Sequence, residues 1–133
     1  MIRFGVLGAG RIGKVHSRTI ASNPKAKLAY IADAVPAAAE ALAAEYGAKV
    51  ATVDEIMKAK DVDAVLIGSP TGFHAGQIQA ASNGGKAIMC EKPVSLKVAT
   101  IEETLKVVEK NKSTLMIGFN RRFDPNFAEA ERR

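Results

Sequence analysis

The stretch 6-VLGAGRIG-13 decides how the chain is read. An apolar run enters it, three glycines (Gly8, Gly10 and Gly13) interrupt it, and a pattern of helical period leaves it. Taken alone, G-x-G-x-x-G arises often by chance, so its meaning depends on what surrounds it. Working outward, short apolar runs at 2–7, 27–32, 48–51, 63–68, 86–90 and 114–119 read as strands, most of them buried on both faces. Helical segments are expected to start near Arg11, Pro36, Val53, Gly72 and Lys97. Pro36 suits a first helical turn, Thr52 with Glu55 forms a capping box, and Gly84 with Gly85 marks a stop. Strands and helices alternate throughout. Apolar strands separated by crossover helices predict an α/β fold with a doubly wound, six-stranded parallel sheet in three layers. The 133 residues fit one domain, 1–133.

In that setting the glycine spacing has a physical reading. Gly8 permits the tight turn after the first strand, Gly10 lets a pyrophosphate approach the backbone, and Gly13 lets the helix pack closely on the strand. Amide groups left unpaired at the helix start, around Arg11 and Ile12, would point at the anion, and the helix dipole favours its charge. A dinucleotide is the expected ligand. Asp33 closes the second strand 20 residues beyond Gly13, where a carboxylate accepts hydrogen bonds from ribose hydroxyls and repels a 2′-phosphate. Ala34, Val35 and Pro36 offer no cation to offset that repulsion, so NAD is expected over NADP.

Ligands of such sheets lie outside the carboxyl ends of the strands. After the fourth strand, Ser69, Pro70 and Thr71 would pass beside the cofactor. His74, in the next helix turn, reads equally as a cofactor contact or as a helix-start or surface residue. His16, inside the first helix, reads as exposed. After the fifth strand, Glu91 and Lys92 project toward the crevice, and Pro93 keeps Lys92 extended. An ammonium there could hold a carbinol oxygen as hydride leaves. On the residues alone, a solvated strand-end lysine is the stronger reading.

Composition narrows the classes. The net charge of +5 is spread evenly: residues 1–66 carry nine basic and seven acidic side chains, residues 67–133 ten and seven. Lys106, Lys110 and Lys112 alternate with Glu102, Glu103 and Glu109 as on a solvated helix face. No basic stripe with aromatics suggests nucleic acid. No apolar run spans a membrane, and neither a secretion signal nor a metal-ligand cluster is evident. The single cysteine, Cys90, reads as a buried bystander. A cytoplasmic protein is expected.

The segments GVLGAGRIGKVH, ADAVPAAAEALAAEYG, SPTGFHA, CEKPVSL and GFNRRFDPNF resemble, in order and spacing, the amino-terminal Rossmann domain of the glucose-fructose oxidoreductase and inositol dehydrogenase (Gfo/Idh/MocA) family, its inositol dehydrogenase branch above all. The resemblance implies that Gly8, Gly10, Arg11 and Ile12 hold the pyrophosphate and Asp33 the ribose. It implies that Ser69, Pro70, Thr71, His74, Glu91 and Asn120 line the nicotinamide side. Lys92 would contact the substrate hydroxyl in catalysis. Arg121 carries over more weakly, and reads equally as a surface arginine. Gly72 and Phe73 depart from the polar residues expected there. The implied reaction is hydride transfer between a nicotinamide cofactor and a cyclic polyol or sugar, with myo-inositol foremost. The family's carboxy-terminal substrate domain has no counterpart in these residues, so the chain is expected to be catalytically incomplete alone. Alternatives are a freestanding or engineered NAD-binding or interaction module, open to self-association, or half of a two-chain enzyme.

Overall fold

The computed structural model describes residues 1–133. Strand β1 (Ile2–Leu7) leads into helix α1 (Arg11–Ser22), then β2 (Ala26–Ala32), α2 (Pro36–Tyr46), β3 (Lys49–Val50) and α3 (Val53–Lys58). The second half repeats the alternation with β4 (Ala64–Ile67), α4 (Thr71–Asn83), β5 (Ala87–Cys90), α5 (Val98–Lys110) and β6 (Leu115–Ile117). A 3-10 turn at Asn120–Phe123 and helix α6 (Pro125–Arg132) follow. All six strands pair in parallel in the order β3-β2-β1-β4-β5-β6. The direction of winding therefore reverses between β1 and β4, which opens a crevice at their carboxyl ends.

Two apolar cores separate the layers. On one face, Ile20 of α1 and Ala39, Leu42 and Ala43 of α2 pack with Val6, Leu28 and Leu66. On the other, Ile56 and Met57 of α3, Ile78 and Ala81 of α4 and Val108 of α5 pack with Leu7, Val65, Ile67 and Ile88. Successive strand residues feed opposite cores, as the two-residue period of a strand requires. Every residue of β4 is buried, because helices cover both of its faces. Arg3 and Asp63 tie the amino ends of β1 and β4 through bonds of 2.8–2.9 Å. No helix is long and apolar enough to cross a membrane.

The Thr52–Glu55 capping box forms with both of its bonds, at 2.7 and 3.1 Å. Gly84 caps α4, and Gly85 follows with positive φ. Two strands depart from expectation. The 48–51 run shortens to two residues, both exposed, and the 114–119 run shortens to three, with Met116 exposed. They are the edge strands, which lack a neighbour on one side. The 3-10 turn and α6 also lie outside the expected elements, although Asp124 and Pro125 signal a helix start: the Asp124 carboxylate caps the Asn126 amide at 2.9 Å.

One buried group has no partner. The Ser17 hydroxyl of α1 is fully buried and makes no hydrogen bond. Ser17→Ala is expected to raise stability by about 1 kcal/mol, since the desolvation cost of an unsatisfied buried hydroxyl exceeds that of the small void its removal leaves. Chemical denaturation of both proteins checks this, with an unchanged or lowered midpoint counting against it.

Candidate functional site

The glycine turn caps the carboxyl ends of β1, β2 and β4. The Gly8 amide donates to the Ala32 carbonyl at 2.8 Å, and the Gly68 amide donates to the Leu7 carbonyl at 2.8 Å. Packing within the chain accounts for two of the three glycines. Gly8 has φ +104°, and a Cβ there would stand 2.6 Å from the Gly68 carbonyl oxygen. At Gly13 a Cβ would stand 1.9 Å from the Gly8 carbonyl oxygen, so only glycine lets α1 begin so close to β1. Gly10 differs from both. A Cβ there meets nothing within 4 Å, and its φ of −76° suits any residue.

The backbone beside Gly10 is also unsatisfied. The first helical bond of α1 is Lys14 N–H to the Gly10 carbonyl, which leaves the amides of Gly10, Arg11, Ile12 and Gly13 without an acceptor in the chain. No side chain caps this helix, and its first turn carries no acid. Four free donors at the positive end of a 12-residue helix, beside open space, form a seat for an anion.

Asp33 reaches into this turn from the end of β2. Its Oδ2 accepts the Ala9 amide at 2.7 Å and its Oδ1 the Val35 amide at 2.8 Å. One oxygen thus fixes the glycine turn and the other starts the α2 turn. Each keeps a lone pair for a further donor.

The segment after β4 is held from within. Ser69 donates its hydroxyl to Gln77 Oε1 at 2.5 Å, while Pro70 is exposed and Thr71 half-buried. His74 is 2% exposed. Its Nδ1 lies 2.7 Å from the Pro93 carbonyl oxygen and its Nε2 lies 2.6 Å from that of Ser69. Burial excludes the surface role, one of the readings open for His74, and the ring braces the strand-end segments that follow β4 and β5. Phe73, at the helix start, is 60% exposed.

After β5, Lys92 is exposed and makes no hydrogen bond or ion pair, and the Lys92–Pro93 peptide is cis. Glu91 behaves otherwise. Its carboxylate accepts from His16 Nε2 at 2.6 Å, and both side chains are about four-fifths buried. The reading of His16 as exposed is thus corrected. Strand parity supplies the reason: Ile88 and Cys90 point to the α4 face of β5, so Met89 and Glu91 point to the α1 face, where His16 stands. Only the approach of α1 to β5 creates this pair, so the local pattern around His16 could not reveal it. Burial, then the neighbouring Glu91 charge, push the Cys90 thiol up to about 12, which keeps it protonated and unreactive.

Asn120 opens the exposed 3-10 turn beyond β6. Arg121 turns toward α6, where its guanidinium lies 4.9 Å above the Phe127 ring and 3.8 Å from Asp124. Arg121 therefore makes no bond to the other candidate residues. No three His, Cys, Asp or Glu side chains converge as metal ligands.

Comparison with known proteins shows the family and the fold. The family model described as "Oxidoreductase family, NAD-binding Rossmann fold" matches residues 2–119. The chain is 54% identical over 126 residues to inositol 2-dehydrogenase of Rhizobium meliloti (strain 1021), covering 95% of this chain and 38% of that protein. It is 38% identical to scyllo-inositol 2-dehydrogenase (NAD(+)) of Bacillus subtilis (strain 168), covering 99% of this chain and 40% of the relative. The crystal structure of scyllo-inositol dehydrogenase from Lactobacillus casei, with bound NAD(H) and scyllo-inositol, superposes with a TM-score of 0.92 at 37% identity, covering 99% of this chain and 40% of that one. The chain thus spans about two-fifths of the length of these relatives.

Proposed function

The chain belongs to the oxidoreductase family with an NAD-binding Rossmann fold, and on that footing we propose that it binds NAD in preference to NADP and supplies the cofactor half of a polyol dehydrogenase. The observation that carries this reading is the glycine turn: four free amides, an acid-free helix start and open space at Gly10, all at the point where the sheet changes direction. These residues fit a pyrophosphate. Gly8, Gly10, Arg11 and Ile12 would hold it, and Asp33 would use its spare lone pairs on the adenosine ribose. Ser69, Pro70, Thr71, Glu91 and Asn120 would border the nicotinamide side, with His74 acting through Ser69 and Pro93. Arg121 is left to the periphery, since Phe127 and Asp124 already engage it.

NAD supplies the nicotinamide that accepts hydride. Lys92, exposed and unpaired, would hold the substrate oxygen and stabilise the alkoxide formed when solvent or a base takes the hydroxyl proton, before the carbinol carbon gives hydride to the nicotinamide. The substrate proposed is a cyclic polyol, myo-inositol foremost. Within these residues Lys92 has little help, because His16 is paired with Glu91 and His74 with two carbonyls. Hydride transfer also needs walls that orient the carbinol over the ring. The 133-residue chain is therefore expected to bind NAD and to reduce it at no more than a trace rate. Calorimetric titration with NAD and NADP, beside an absorbance assay for reduced cofactor with myo-inositol, tests both halves. Absence of NAD binding sinks the proposal.

Cofactor choice rests on Asp33. Asp33→Ala is expected to weaken NAD binding about 10- to 100-fold, the equivalent of one or two charge-assisted hydrogen bonds, and to remove most of the discrimination against NADP. Titrating the variant with both cofactors checks this. An unchanged NAD affinity would remove Asp33 from the ribose site.

A further inference from the structure

Lys92 stands between two residues that are each held by a histidine. On one side, Glu91 bonds at 2.6 Å to His16 of α1, and on the other the Pro93 carbonyl lies 2.7 Å from His74 of α4. Helices α1 and α4 pack on opposite faces of the sheet. The segment that presents Lys92 is thus pinned from both layers. Glu91 is confined further at the end of β6, where a Cβ on Gly118 would lie 3.1 Å from both carboxylate oxygens. The backbone around it is fixed as well, since the Glu91 amide donates to Ile67 at 2.9 Å and the Gly118 amide to Cys90 at 2.8 Å. A side-chain torsion of Glu91 therefore has little freedom while His16 holds it.

His16 is also on the helix whose start carries the free amides, in its second turn. One rigid element thus bears both the anion seat and the contact that sets Glu91. We propose that His16 is a positioning residue: through Glu91 it fixes the Glu91–Lys92–Pro93 segment relative to the anion seat, so that the nicotinamide half of the dinucleotide meets a preformed wall. This rests on the cofactor reading above. Preorganisation of this kind adds affinity by removing the cost of ordering the segment on binding.

The test compares NAD with ADP-ribose, which keeps the pyrophosphate and both riboses but lacks nicotinamide. Calorimetry on the full chain is expected to show His16→Ala losing about tenfold in NAD affinity while ADP-ribose affinity stays unchanged. His16→Gln can donate an amide N–H to Glu91 from nearly the same place, so it should recover most of the loss. Equal losses for both ligands, or no loss for NAD, overturn the proposal and leave the pair a packing contact. Failure of His16→Gln to recover overturns it too. So does a parent chain that binds NAD no more tightly than ADP-ribose, because the wall then contributes nothing. If the parent chain binds neither ligand, the cofactor reading itself has failed, an outcome distinct from the others.

Discussion

Gly10→Asp is expected to leave the chain at least as stable as the parent while abolishing its measurable affinity for NAD. The two effects have one origin. Gly10 is the N-cap of α1, with extended backbone at φ −76° and ψ −165°, no side-chain cap and open space where a Cβ would go. An aspartate there needs no strained conformation, can accept the Ile12 or Gly13 amide, and places a negative charge at the positive end of the helix. Together these add a few tenths to about 1 kcal/mol of stability. The same carboxylate takes the amides and the space that the pyrophosphate requires, and repels its charge. Losing two charge-assisted bonds corresponds to at least about 100-fold in affinity. A thermal melt and a calorimetric titration on the same preparation decide the matter. Retained NAD binding in a folded Gly10→Asp chain means that the phosphates bind elsewhere.

Gly13→Ala is expected to act in the opposite sense on stability. Its Cβ would stand 1.9 Å from the Gly8 carbonyl oxygen and 2.7 Å from the Gly8 carbonyl carbon. These are backbone atoms at the end of a central strand, so no side chain can rotate away. Relief requires the start of α1 to move off β1, which disturbs Val6, Ala9 and Ile20 in the core beneath. A loss of about 3 kcal/mol is expected, or roughly 10 °C in Tm for a domain of this size. NAD affinity should fall with it, because the amides of the turn move. A melting temperature within a degree or two of the parent would show that the turn is looser than its packing implies. The pair of variants separates what G-x-G-x-x-G does for the fold from what it does for a ligand, two roles that the motif superimposes.

The sequence carried much of this. The alternation of apolar runs with helical segments gave the parallel sheet, and with it the carboxyl-end loops where the candidate residues lie. The capping box at Thr52 and the stop at Gly84 and Gly85 follow from residue types at short spacing, and Asp33 from its place at the end of the second strand. Asp124–Pro125 is an equally local signal for the start of α6. The edge strands are shorter than their apolar runs, because apolar character shows that a run could pair and not how many neighbours it finds.

The side-chain partners were not legible. His16 meets Glu91 across 75 residues, and His74 grips the Pro93 carbonyl across 19. Local periodicity tells which way a side chain leaves its own helix or strand. It does not tell which distant group arrives there, since that depends on strand order, on register and on the helix-to-sheet distance. Sequence alone therefore determined the fold class and the seat for an anion, both built from short-range backbone constraints. Tertiary structure alone decided how the segment bearing Lys92 is held, because packing brings two helices from opposite faces of the sheet to the carboxyl end of the same strand.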